Sequence, residues 1–224
     1  LSANSLAQRC VFLDTHKYIS LVFSDYNLEI FAGKIEPSYL RQKKFLSFFE
    51  KNISYHNGSN VIFNAQFYYK YLLFSPMPIW TGVVMMRREV VKEIGLFRTS
   101  IFVGEDADYW LRILEKRIIG FIDKPLAIYR HFAGNLTKQP EKGDIGGIQL
   151  LSMLYKTNQN EQMRKILRKR LAYTYYTLGY FYRKNNLPLK ARKYLFASMR
   201  HNPLNFRVYK SMVATMLAHK KAEH

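Results

Sequence analysis

The chain has 224 residues, 48% of them hydrophobic and 16% aromatic, with one cysteine and a formal net charge of +19. This is enough for one ordinary domain plus a smaller unit and excludes global disorder, while the lone Cys10 excludes an internal disulfide and gives no sign of a zinc site. The charge favours polyanionic partners (nucleic acid, an anionic membrane surface or a phosphate-rich substrate) without choosing among them.

In chain order, Leu6, Cys10, Val11 and Leu13 read as the end of a helix. Ile19–Ile30 reads as a strand that ends near Asp25, and Ala32-Gly33-Lys34 as a turn that folds it back. From Ser38 to Ile53 the pattern is loosely helical, and His56–Asn60 is a loop around the Asn57-Gly58 turn. Val83–Met86 is a short strand, followed by a helix from about Arg88 that Gly95 stops. The stretch GEDADYWLRILEKRIIG, Gly104 to Gly120, is an acidic turn running into a helix. Ala107, Trp110, Leu111, Leu114 and Ile118 share its apolar face, and Asp108 and Arg112 form an i,i+4 pair on the other side, worth about 0.3–0.5 kcal/mol. Gly120–Arg130 returns as extended chain. Alternating strands and helices make this part α/β.

After about Thr137 the composition shifts. KQPEKGDIGG reads as a linker, and nearly everything beyond it as helix. Tyr175, Leu178, Gly179, Tyr182, Ala191, Leu195 and Pro203 follow the tetratricopeptide spacing, with Gly179 and Ala191 as the small residues at a close helix crossing. Phe206–His219 is a third helix that covers the remaining apolar face. The expected organisation is 1–137 as an α/β domain, 138–162 as linker and connecting helix, and 163–224 as an all-α TPR-like segment. No stretch reaches the ~18 apolar residues of a membrane span, since Pro76 and Pro78 break the best one, Tyr71–Met86. With no secretory signal, the sequons at Asn52, Asn57 and Asn135 read as chance, and the setting as reducing and cytoplasmic.

Taken alone, Glu105 and Asp106 are either helix-start acids complementing the dipole or half of a catalytic centre. The ordered set WTGVVMMRREVVKEIGLF, GEDADYWLR, PLAIYR and GNLT, within Trp80–Thr137, resembles the C-terminal half of the catalytic domain of family 2 glycosyltransferases, which have the GT-A fold. LVFSDYNLEIFAGKI (Leu21–Ile35) is similar to an earlier strand and turn of that domain, so the resemblance covers about Leu6–Thr137. It implies Asp106 as general base with Glu105 beside it, and an acceptor pocket shaped by Trp80, Thr81 and Gly82; Trp80 reads equally as a buried core residue. Arg130 is either a diphosphate contact or one half of an ion pair. His131 is either a metal ligand or a loop histidine, because the family's His falls at the position held here by Phe132. A divalent metal, Mg²⁺ or Mn²⁺, is implied mainly through an Asp-x-Asp that belongs before Leu1. The chain therefore resembles an acceptor-side half, a fragment expected to be inactive alone, and Asp106-x-Asp108 has the spelling but not the place of that motif.

The implied function is transfer of a sugar, with inversion, from a nucleotide-sugar donor to a glycan or lipid-linked acceptor in polysaccharide biosynthesis. The implied place is the cytoplasm, with peripheral membrane or protein contact open to the basic helical tail. The alternative is an inactive transferase remnant whose TPR-like helices bind a protein partner. Nucleic acid comes last, because the repeat already explains the aromatics of Tyr173–Asn186.

Overall fold

The computed structural model describes residues 1–31, 33–74, 77–101, 103–130 and 140–220. They form two compact units: a mixed α/β sheet unit up to Thr99 and again from Glu105 to the last strand, and a helical C-terminal unit that also takes in Ser100–Gly104.

The sheet unit opens with α1 (Ser5–Thr15), a complete helix rather than a helix end. It buries Ser5, Arg9, Phe12 and Leu13, whereas Leu6, Cys10 and Val11 face water. The expected apolar face was misplaced because one aromatic sets the packing: a Cβ on Gly120 would lie 2.3 Å from the Phe12 ring. Arg9 follows Phe12 inward and donates to Ser24 Oγ at 3.1 Å.

β1 (Leu21–Phe31) continues well past Asp25. A buried acid is tolerated mid-strand because it is satisfied: its carboxylate accepts the amides of Tyr26 at 2.7 Å, Leu40 at 2.8 Å and Arg41 at 3.3 Å. Gly33, at φ +86, turns the chain into β2 (Lys34–Glu36), antiparallel to β1 as the turn residues predict. The loosely helical stretch resolves into α2 (Tyr39–Gln42), α3 (Phe45–Phe48) and a 3-10 turn at Glu50–Asn52. Left-handed backbone at Ser38 (φ 50) and Lys44 (φ 56) prevents a longer helix. Leu40 and Arg41 lie in the first turn of α2, so Asp25 caps that helix from a distance.

Asn57-Gly58 is the tip of a hairpin, β3 (Ile53–Asn57) and β4 (Asn60–Phe63), followed by α4 (Phe67–Tyr71). After a 3-10 turn at Thr81–Val83 come β5 (Val84–Met86) and α5 (Arg88–Ile94), ended as expected by Gly95 at φ +83. α6 (Glu105–Leu114) and β6 (Ile119–Arg130) complete the unit. Ile118 lies beyond α6 and is 39% exposed, so it is not part of that helix's buried face.

The sheet order is β2-β1-β6-β4-β3, with β5 also on β1. β6 runs parallel along one edge of β1, so β5 and β2 share the other edge end to end, at Leu21–Phe23 and Leu28–Phe31. Along the regular stretches of β1, β4 and β6, side chains alternate between faces. Val22, Ile62 and Ile122 pack with Phe12 and Leu13 of α1. Phe23, Phe63 and Phe121 point the other way and interlock with Phe45, Phe49 and Phe67; Phe63 stacks on Phe67 at 4.2 Å. Such ring pairs add about 0.5–1.5 kcal/mol beyond burial, and here they anchor α3 and α4 to the sheet.

The helical unit begins inside the stretch read as a linker. α7 (Pro140–Thr157) forms because Pro140 occupies the first position, where its missing N–H costs nothing. α8 (Glu161–Lys184) is capped by Asn160, whose Oδ1 accepts the Met163 amide at 2.9 Å. α9 (Pro188–His201) and α10 (Phe206–Lys220) follow. Leu178, Tyr182 and Ala191 form a core with Ile145 and Ile148, so α7 pads the α8–α9 hairpin. The close approach at Gly179 is to Leu195 rather than to Ala191: a Cβ there would lie 2.9 Å from Leu195 Cγ. α10 buries Val208, Ser211 and Thr215, while Phe206, Val213, Met216 and Leu217 remain at least half exposed. Among the described residues no helix is long and apolar enough to cross a membrane.

Candidate active site

α6 starts directly after Gly104, whose φ of +89 suits glycine. Glu105 and Asp106 are its first two residues, inside the helix rather than at its cap, where negative charge is favoured by the exposed amides. Glu105 is exposed, whereas Asp106 is half-buried and its Oδ1 accepts the Ala107 amide at 2.7 Å. Burial raises the Asp106 carboxyl above the ordinary aspartate range. The Ala107 amide opposes that rise and the Glu105 charge adds to it.

One neighbour of Asp106 carried no signal in the sequence. Tyr71, at the end of α4, is fully buried, and its hydroxyl has no hydrogen bond among the described residues. Burial, then the Asp106 charge, holds that hydroxyl well above the ordinary phenol range. Tyr71 sits in the aromatic run FYYKY, where nothing singles it out.

Asp108, two residues on, is in a different state. It is fully buried rather than on a solvent side, and its two oxygens are taken by Arg98 Nη1 at 2.6 Å and Arg112 Nε at 3.0 Å. Arg112 also donates to the carbonyls of Ile94 at 2.8 Å and Leu96 at 2.9 Å, tying the end of α5 to α6. With both oxygens occupied, Asp108 is a structural anchor.

Trp80 precedes the 3-10 turn formed by Thr81, Gly82 and Val83. The indole lies over Gly82, where a Cβ would come within 2.5 Å of it. It meets Tyr129 edge-on at 4.8 Å and Tyr26 at 5.4 Å, and Tyr26 stacks on Tyr39 at 5.2 Å. Burial raises the hydroxyls of Tyr26 and Tyr39, so these rings are neutral, hydrogen-bonding surfaces. Thr81 and Gly82 are exposed.

Arg130, next to Tyr129, pairs with Glu29 across β1 and β6 at 2.9 Å, yet its side chain is 74% exposed. His131 lies outside the described residues. Among the described residues no three His, Cys, Asp or Glu side chains gather as metal ligands. The candidate residues thus fall into two groups: Asp106 with Tyr71, and Trp80–Gly82 with three tyrosines beside Arg130. No hydrogen bond of Asp106 reaches Trp80, Thr81 or Gly82 among the described residues.

No family model matches the chain, and no solved structure matches it. A stretch of 61 residues, 26% of the chain, is 36% identical to a protein of Mycobacterium tuberculosis (strain CDC 1551 / Oshkosh) described as uncharacterized protein MT1568. The match spans 19% of that protein's length.

Proposed function

We propose that the sheet unit is the acceptor-side part of a GT-A, family 2-like glycosyltransferase, and that the helices after it form a TPR-like tail. The acceptor hydroxyl, on a glycan or a lipid-linked sugar, attacks the anomeric carbon of a nucleotide sugar. Its proton passes to Asp106, the new O–C bond forms, and the bond to the nucleoside diphosphate breaks with its electron pair leaving on phosphate. Attack opposite the leaving group inverts the carbon.

The observation that carries this reading is the contrast on α6. Asp108 is locked by two arginines, while Asp106 has one short bond to its neighbour's amide and a carboxyl raised by burial. A carboxyl raised by burial, on a side chain that no arginine locks, is suited to take a proton and is held firmly by its helix. The aromatic faces of Trp80 and Tyr129 suit sugar rings, and the exposed Arg130 suits phosphate oxygens. Mg²⁺ or Mn²⁺ finds no three-ligand group among the described residues. The resemblance assigns metal and nucleotide to an Asp-x-Asp that this sequence lacks before α6. Cytoplasmic action, at a membrane face that the basic tail can approach, belongs to the same proposal.

The test uses the product of the full reading frame that contains this chain, with a panel of nucleotide sugars and Mg²⁺ or Mn²⁺. Asp106→Asn is expected to lower transfer by about 10²–10⁴-fold while donor binding is retained. Near-normal turnover would refute the assignment. A second reading, a transferase remnant acting as an interaction module, is favoured by the exposed apolar row Phe206, Val213, Met216 and Leu217; it predicts neither donor binding nor donor hydrolysis.

A further inference from the structure

The helical unit contains a cavity of about 450 Å³ lined by Tyr155 of α7, Arg168 and Tyr175 of α8, and Ala197, Arg200 and His201 of α9. That volume lies within the range of small-molecule sites. Two guanidiniums and an imidazole line it, and among the described residues no carboxylate does. Elsewhere in the chain Arg41, Arg98, Arg112, Arg117 and Arg130 each hold an acidic partner. Arg168 is instead fixed through Nε, which donates to the His201 carbonyl at 2.9 Å and leaves its terminal amino groups available. The Arg200 side chain makes no hydrogen bond or ion pair among the described residues. The ring of His201 is held between Tyr175, parallel at 5.5 Å, and Tyr155, edge-on at 6.3 Å.

We propose that this groove binds a phosphate-bearing small molecule of the phosphomonoester or diphosphate class, gripped by Arg168 and Arg200, with His201 at its floor and Tyr155 and Tyr175 as walls. The proposal is independent of the transferase reading. Guanidinium forks match phosphate oxygens two at a time, and two of them balance a dianion better than a single carboxylate. The groove is a compact six-residue pocket rather than a stripe along a helix, which favours one anionic group over a nucleic-acid backbone. Burial, then the charges of Arg168 and Arg200, holds the His201 imidazole below its ordinary range. Tyr155, Arg168, Tyr175 and Arg200 are the titratable groups facing it. A bound anion offsets the two arginine charges, lets His201 take up a proton, and so binds more tightly as pH falls.

The test is calorimetric titration of the full chain with inorganic pyrophosphate at low salt. Saturable one-to-one binding is expected, weakened about tenfold by Arg200→Gln and within about twofold of the parent for Lys210→Gln, which removes the same charge from α10. Equal weakening by both variants, several equivalent sites, or no binding would overturn the proposal, as would an oligonucleotide that binds regardless of Arg200. Two sources of the phosphate separate in a second arm. Vesicles of phosphatidylcholine with phosphatidic acid, released by pyrophosphate, support the site through a lipid headgroup. Pyrophosphate binding without vesicle binding supports it through a free phosphate compound.

Discussion

Asp106 and Asp108 lie on one helix, yet their surroundings give opposite consequences for mutation. The Asp106 carboxyl is raised by burial, so the folded chain holds that proton more tightly than the unfolded chain does. Ionisation therefore subtracts stability as pH climbs from the unfolded value through the folded one, and the cost is complete above both. Asp106→Asn keeps an oxygen for the Ala107 amide and removes that cost. Its melting temperature is expected to exceed the parent's at neutral pH, with the difference vanishing once pH drops below the ordinary aspartate value of about 3.9. Thermal melts across pH check this, and a fixed difference at all pH values would sink it. Asp108→Asn leaves Arg98 and Arg112 without their counter-charge beside a fully buried side chain. It is expected to cost about 3 kcal/mol, the low end for a broken buried pair because Arg98 is partly solvated; urea unfolding reads it directly. The charge pattern of α6 and the Asp108–Arg112 pair were legible in the sequence. The pair's burial, Arg98's part in it and Tyr71 were not, because each depends on segments that only tertiary packing brings to α6.

At the scale of elements, the α8–α9 contact offers a contest between two local effects. Gly179→Ala gains about 1 kcal/mol of helix propensity. Against it, the new methyl meets Leu195 Cγ at 2.9 Å and the Leu195 backbone nitrogen at 3.0 Å, so α9 itself must move. Overpacking of this kind costs about 1–3 kcal/mol, and a net loss of about 1 kcal/mol is expected in a melt followed by far-ultraviolet circular dichroism. Elements announced by one strong residue were readable: Gly33 turns the chain back and Gly95 ends α5 where the sequence places those breaks, although β1 itself runs to Phe31 rather than ending near Asp25. Others failed for physical reasons. β3 and β4 are short strands whose pairing, not their composition, makes them a hairpin. The first two turns of α7 read as a linker because their apolar residues are spread among glycines and charges, and they join the helix by packing Ile145 and Ile148 on the hairpin. α1 is led by a single phenylalanine, Phe12, that docks on Gly120, more than a hundred residues further along the chain.

For the molecule as a whole, 35 basic residues face 16 acidic ones, and among the described residues few of the basic groups have an acidic partner to offset them. Self-repulsion of this size weakens the compact state and is screened by salt. Raising NaCl from about 0.05 to about 0.3 M is expected to raise the melting temperature; a fall would mean that the ion pairs outweigh the repulsion. The parallel pairing of β1 with β6, from Leu21 against Ile119 onward, bears on how the chain is made. β2 covers only the far end of β1, and β5 reaches Leu21–Phe23 much later. During synthesis at about 5–20 residues per second, the apolar start of β1, Leu21–Phe23, leaves the ribosome several seconds before the β6 strand that will lie beside it exists. Through that interval its free edge is open to any other extended chain, and the newborn protein depends on chaperone cover or speed of closure to avoid pairing with the wrong neighbour.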